Sequence, residues 1–305
     1  MMQLIRDILA VKHLRNIWAR LTDAYSPMQC KEAFVGQMNA KASEWGMVNT
    51  HWINPSGLGE NGRYSQTTAR DLALMGLHAM HYPYLRKMWQ SEFVYPMHIT
   101  KPYLVHPKKH IIRRIASTVE CMHIGDFPIL GIKTGAGDDY YTLVAICEIP
   151  GMSGYVSASI MRADTLENRF EAMEELLFAT KNILMGGGGK TEVKKAKYAC
   201  SYYQPLSGEA YCIYEQNPDE ISAPMSTTKI MTLCVCMDYE NNFKQKIRIR
   251  PSDMQGTEGT SGNVFKEWEK VSLEDVMYAA LLPSSNQAAN AIARVIGNKI
   301  LTAKK

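Results

Sequence analysis

Cysteine is sparse in this chain and odd in number. The seven thiols, Cys30, Cys121, Cys147, Cys200, Cys212, Cys234 and Cys236, fall far below the density of a disulfide scaffold in 305 residues. Cys234 and Cys236 lie two apart in the apolar run MTLCVCM, where an unpaired cysteine packs as a small hydrophobe. Buried free thiols are therefore expected. No C-x-x-C and no H-E-x-x-H occurs, so the residues indicate no metal site. No stretch approaches the ~18 uninterrupted apolar residues of a membrane span. Charge of one sign is also lacking: 34 Lys and Arg against 30 Asp and Glu leave +4. A nucleic-acid reader carries a denser basic stripe, so no nucleic-acid partner is expected.

What is present is globular. Hydrophobic residues make up 46% and charged residues 21%, and the length suits one large domain or two small ones. Residues 1–30 open with MMQLIRDILAVKHLRNIWARL, which charged residues interrupt, so no signal-peptide h-region is visible. Leu4, Ile8, Val11, Leu14 and Leu21 recur at near-helical spacing beside a basic face. That extension either docks on the protein's own surface, lies peripherally on an anionic membrane, or stays disordered.

One composition break divides the rest. Residues 186–189 are GGGG, inside a flexible linker at 182–195. Before it, LENRFEAMEELLFATKNILM predicts a helix with Phe170, Met173, Leu176, Leu177 and Ile183 on one face. After it, YACSYYQPLSGEAYCIYEQN predicts a hairpin. Helices are also predicted at KEAFVGQMNAKASEWG, ended by Gly46, at TTARDLALMGLHAMHYPYLRKMW and at PMSTTKIMTLCVCMDYE. VSLEDVMYAALL opens with Ser272 as N-cap, and SNQAANAIARVIG has Gly297 as its stop. Residues 92–115, YYTLVAICEI and YVSASIMR read as strands. Mixed elements without strict β-α-β alternation favour an α+β fold.

Three short motifs could carry chemistry. In Ser226-Thr227-Thr228-Lys229, positions i and i+3 share a helical face, so the lysine can serve the serine as base if burial depresses its pKa. The tetrapeptide alone is weak, because S-x-x-K is expected about once by chance in a chain this long. Its plain reading is a helix start with an exposed lysine. Ser284-Ser285-Asn286 follows Pro283 at a turn into a helix, and its plain reading is an N-cap. Ser261-Gly262-Asn263 has the same form but stands in an open polar loop and is set aside. Lys133-Thr134-Gly135 sits between apolar runs as a strand edge beside a cleft, where the lysine and threonine could hold a carboxylate. Its plain reading is a strand end.

Taken together, the motifs are the S-x-x-K, S-x-N and K-T-G set of penicillin-recognising serine acyl-transferases. The sequence resembles the D-alanyl-D-alanine carboxypeptidases, the low-molecular-mass penicillin-binding proteins. The matching stretches are SGEAYCIYEQNPDEISAPMSTTKIMT, VSLEDVMYAALLPSSNQAANAIA, FVGQMNAKASEWGMVNTHWINPSGL, YSQTTARDLALM and GIKTG. Their order departs from the family, whose members run S-x-x-K, S-x-N, the M-N-x-K-A helix and then K-T-G. Reading 196–305 and then 31–181 restores it, so the chain looks circularly permuted, one domain over 31–305. Two unrelated half-domains are the rival explanation. Two further departures are the acidic Asp138-Asp139 after K-T-G and the lack of an asparagine-rich stretch before it.

The resemblance implies a five-stranded antiparallel sheet flanked by helices, an all-helical subdomain, and a cleft between them. It implies serine-type carboxypeptidase action, through an acyl-enzyme, on peptidoglycan stem peptides ending in D-Ala-D-Ala. β-Lactams would inhibit, no cofactor or metal would be used, and the protein would work at the extracytoplasmic face. By the same implication Ser226 is the nucleophile, Lys229 its base, and Ser284 the relay to the leaving amine. Asn286, Lys133, Thr134 and Gly135 would bind substrate, and the backbone N–H groups of Ser226 and Ala136 would form the oxyanion hole. The alternative is a catalytically silent penicillin- or cell-wall-binding protein of the same fold. A β-lactamase is a weaker alternative, since no glutamate for deacylation stands out.

Overall fold

The computed structural model describes residues 25–91, 93–94, 115–116, 123–187, 191–258, 260 and 262–303. The amphipathic stretch 1–21, Cys121 and most of 92–115 therefore lie outside the described residues. Helix α1 (Pro27–Glu44) starts with Ser26 and Gln29 in a capping box. Helices α2 (Ala69–Ala79) and α3 (Pro83–Trp89) follow. A two-residue pair, β1 (Phe93–Val94) and β2 (Ile115–Ala116), leads to β3 (His123–Ile124). Strands β4 (Phe127–Ala136), β5 (Tyr141–Cys147) and β6 (Gly154–Ala163) precede the long helix α4 (Leu166–Leu184). Beyond the glycine linker come β7 (Tyr198–Pro205) and β8 (Tyr211–Gln216). A 3-10 turn at Met225–Thr228 runs into α5 (Lys229–Tyr239). The chain then forms β9 (Lys246–Arg248), α6 (Pro251–Met254), β10 (Lys270–Ser272), α7 (Leu273–Leu281) and α8 (Asn286–Ala303).

The fold is α+β. Its five main strands run β4-β5-β6-β7-β8, all antiparallel, and the two-residue β3 extends the edge beyond β4. The central pairing is β6 with β7, from Gly154↔Pro205 to Met161↔Tyr198. Strands from both sides of the linker thus form one sheet.

Strand periodicity separates two cores. Along β5, Leu143, Ala145 and Cys147 join one apolar cluster while Val144 and Ile146 join the other, because successive side chains leave opposite faces. Under the first face lies α4, whose Met173, Leu176 and Leu177 are fully buried there. Against the other lies α2, fastened by Ser157 Oγ, which donates to the Ala73 carbonyl at 2.7 Å, and by a second bond from Ser159 Oγ to the Ala69 carbonyl. The second core continues through α2 into the helical layer of α1, α5, α7 and α8. The site lies where that layer meets the β4 edge.

Two local expectations are corrected. Helix α8 does not stop at Gly297 but continues to Ala303. A Cβ at Gly297 would lie 1.9 Å from the Cys30 carbonyl oxygen, so this glycine lets α1 and α8 approach rather than ending a helix. The predicted helix over 224–240 starts as a 3-10 turn, with Met225 at φ 51°. Ser272 does cap α7, in a capping box closed by Asp275.

Candidate active site

The nucleophile candidate is built from backbone upward. Met225 is held in the left-handed region just before Ser226, a strained conformation for a side-chain-bearing residue. The turn is tied down by Thr227 Oγ1, which donates to Pro224 O at 2.6 Å, and Thr228 Oγ1, which donates to Met225 O at 2.8 Å. Ser226 is thereby left half-buried while Lys229 is fully buried. The plain expectation of an exposed lysine is overturned.

Lys229 Nζ touches three oxygens. It lies 2.9 Å from Ser226 Oγ, 2.7 Å from Asn286 Oδ1 and 2.8 Å from the Ser56 carbonyl. Two of these can only accept, and the third is a hydroxyl that can also donate. An ammonium donates to all three, whereas a neutral amine keeps its two N–H donors on the fixed acceptors and has a lone pair left for the serine proton. Burial, and then the nearby Lys133 charge, push the Lys229 pKa well below its ordinary value.

The Ser56 contact depends on the loop Asn54-Pro55-Ser56-Gly57-Leu58. Asn54 Oδ1 accepts from the amides of Ser56 at 3.1 Å and Gly57 at 2.7 Å, and Asn54 Nδ2 donates to Leu58 O at 2.6 Å. Thr232 Oγ1 on α5 donates to Pro55 O at 2.6 Å. Gly57 has φ 83°, and a Cβ there would sit 1.8 Å from Met225 O. Only glycine allows that approach. The signal was available as N-P-S-G-L, an asparagine two residues before a small residue and three before a glycine.

The second motif turns at Ser284, which has φ 64°. Ser285 Oγ accepts from the Ala288 amide at 3.2 Å and so takes the capping role, which leaves Ser284 to meet Lys133 and Asn286 to meet Lys229. The loop set aside earlier packs on this turn: a Cβ at Gly262 would lie 2.3 Å from Pro283 O.

The third motif ends β4, in register with β5 as Lys133↔Val144 and Thr134↔Leu143. Lys133 is buried, and its Nζ donates to Ser284 Oγ at 3.0 Å and to Thr134 O at 3.0 Å. Burial, and then the Arg169 charge, lower its pKa to about 7. Gly135 lies against the start of the 3-10 turn, where a Cβ would come 2.9 Å from Pro224 O and 3.4 Å from the Ser226 nitrogen. Ala136 is exposed at the strand end, followed by a turn closed by Gly137 N to Tyr140 O at 3.0 Å. Asp138 and Asp139 are exposed in that turn.

Arg169, in the first turns of α4, was missed because it sits next to an apolar helical face. Its guanidinium is buried, donates to Gly135 O at 3.3 Å, and lies 4.9 Å and 5.6 Å from the Phe170 and Tyr141 rings. Burial lowers its pKa to about 10. Among the described residues, no carboxylate pairs with Lys133 or Arg169. Two buried cations at one strand end make an electropositive floor suited to an anion.

The site therefore combines a hydroxyl, a buried lysine amine with a depressed pKa, a second serine on a lysine, and a cationic strand edge. A curated relative, the D-alanyl-D-alanine carboxypeptidase DacF of Bacillus subtilis (strain 168), is 44% identical over 57 residues. That match covers 19% of this chain and 14% of the relative. No solved structure matches. The family model described as D-alanyl-D-alanine carboxypeptidase matches residues 24–152 and 208–299, well over half of the chain and both sides of the linker, and the chain belongs to that family.

Proposed function

We propose that this chain is a serine-type D-Ala-D-Ala carboxypeptidase that acts on peptidoglycan stem peptides through an acyl-enzyme and is acylated by β-lactams. The observation that carries this is the fully buried Lys229, whose Nζ lies 2.9 Å from Ser226 Oγ and whose pKa burial lowers. Lys229 takes the Ser226 proton as Oγ attacks the penultimate D-Ala carbonyl. Asn286 and the Ser56 carbonyl keep the amine oriented, and Asn286 also meets the substrate amide. Ser284, on Lys133, passes a proton to the leaving D-Ala nitrogen. Lys133, Thr134 and Gly135 receive the terminal carboxylate, with Arg169 adding positive potential. The backbone N–H groups of Ser226 and Ala136 stabilise the oxyanion, a contribution of about 3–4 kcal/mol per donor. Water then releases the acyl group.

The chain order fits a circular permutation of one domain. In its support, β6 and β7 pair across the linker, and Lys133 meets Ser284. The substrate class places the protein at an extracytoplasmic face. Among the described residues no helix is long and apolar enough to cross a membrane. Labelling with a fluorescent penicillin, followed by assay of D-Ala release, tests the reading. Label with release supports the enzyme. Label without release indicates the silent binder, and no label removes the assembled site.

A further inference from the structure

Two cysteines on the sheet are left unused by acyl transfer. Cys200 on β7 and Cys212 on β8 place their sulfurs 3.9 Å apart. Cys212 lies opposite Tyr202, and a register shift between Ser201 and Tyr202 brings it diagonally onto Cys200. The pair is asymmetric. Cys200 is buried, whereas Cys212 is only partly buried and its Sγ also lies 3.8 Å from the Tyr214 carbonyl. A shared proton from Cys200, with the Arg70 charge nearby, holds the Cys212 thiol below its ordinary range against the opposing effects of burial and Glu215. The same shared proton and burial push Cys200 up. An accessible, acidified thiol backed by a second thiol is the arrangement of an attacking and a resolving cysteine. Cys147, Cys234 and Cys236 are by contrast buried, and burial pushes each of them up.

We propose that Cys212 and Cys200 form a thiol–disulfide exchange site for low-molecular-mass disulfides, ending in a cross-strand β7–β8 disulfide. Cys212 thiolate attacks one sulfur of the small disulfide. That S–S bond breaks, and the departing thiolate takes up a proton. Cys200 then loses its proton and attacks Cys212 Sγ, which expels the second small thiol. Two protein thiols are oxidised, and one small disulfide is reduced to two thiols. From 3.9 Å the sulfurs must close by about 2 Å to reach bonding distance.

The test uses the full chain, reduced, desalted and incubated with glutathione disulfide, then read by free-thiol titration, intact mass and peptide mapping. Two of the seven thiols are expected to disappear, with a link between the peptides bearing Cys200 and Cys212, reversed by dithiothreitol. Cys200→Ala is expected to trap one glutathione adduct on Cys212, and Cys212→Ser to show neither link nor adduct. Retention of every wild-type thiol would overturn the proposal. So would a lasting glutathione adduct on Cys212 in the wild type, or oxidation confined to other cysteines.

Discussion

Lys133 Nζ lies 3.0 Å from Ser284 Oγ, although 151 positions separate the two residues. The lysine comes from the strand edge before the glycine linker and the serine from the helical layer after it. One contact therefore spans both matched segments and ties the cationic strand end to the serine-bearing turn.

The base assignment makes Lys229→Arg informative. Arginine keeps the charge but stays protonated at any working pH, so it cannot accept the Ser226 proton. Penicillin acylation is expected to fall at least ~100-fold, the scale of general-base catalysis. Near-normal acylation kinetics would mean that another group takes the proton.

The pH dependence follows from two depressed lysines. In the proposed mechanism Lys229 must be neutral to act, and burial, then the Lys133 charge, lower its pKa well below the ordinary value. Lys133 must be charged to attract a carboxylate and loses that charge above about 7. Specific activity against a D-Ala-D-Ala peptide should therefore rise from acid, then decline above about 7 through a rising KM. The linkage also has a sign. Lys133 titrates at about 7 when folded against an ordinary 10.5, so its contribution to stability is present above 10.5 and is lost as pH falls toward 7. A KM that stays flat through the alkaline limb would contradict the role given to Lys133.

The Asn54 loop yields a third expectation. Gly57→Ala would drive a Cβ into Met225 O and impose φ 83° on alanine, so both stability and acylation should collapse. Asn54→Ala removes the acceptor for the Ser56 and Gly57 amides and loosens the Ser56 carbonyl. Its acylation rate should drop by about tenfold or more while the noncovalent affinity changes little. Stopped-flow acylation separates the two, and an unchanged rate constant would remove the loop from the account.

Much of this arrangement was legible in the residues. The K-T-G strand, the Ser272 cap, the apolar face of α4 and the hairpin after the linker all follow local patterns of spacing and capping. Less legible was anything fixed by tertiary approach. Gly297 looks like a helix stop until α1 is laid against α8. Arg169 looks like a solvated helix residue until β4 ends beside it. Ser56 contributes a backbone carbonyl, which no side-chain motif can announce.

A cut within the GGGG linker examines the single-domain arrangement. The β6–β7 ladder and the second core should hold the pieces together, since a short linker supplies effective concentration rather than contacts. Size exclusion after limited proteolysis should show one species that still binds penicillin. Two separately folded pieces would favour unrelated half-domains, although each would carry an open sheet edge.

Mass spectrometry of the penicillin-treated protein tests Ser226 as the acylated nucleophile most directly. One covalent adduct is expected on the peptide containing Ser226, absent from a folded Ser226→Ala variant with an unchanged melting temperature. An adduct that persists in Ser226→Ala, or that maps to another residue in the wild type, would contradict that assignment.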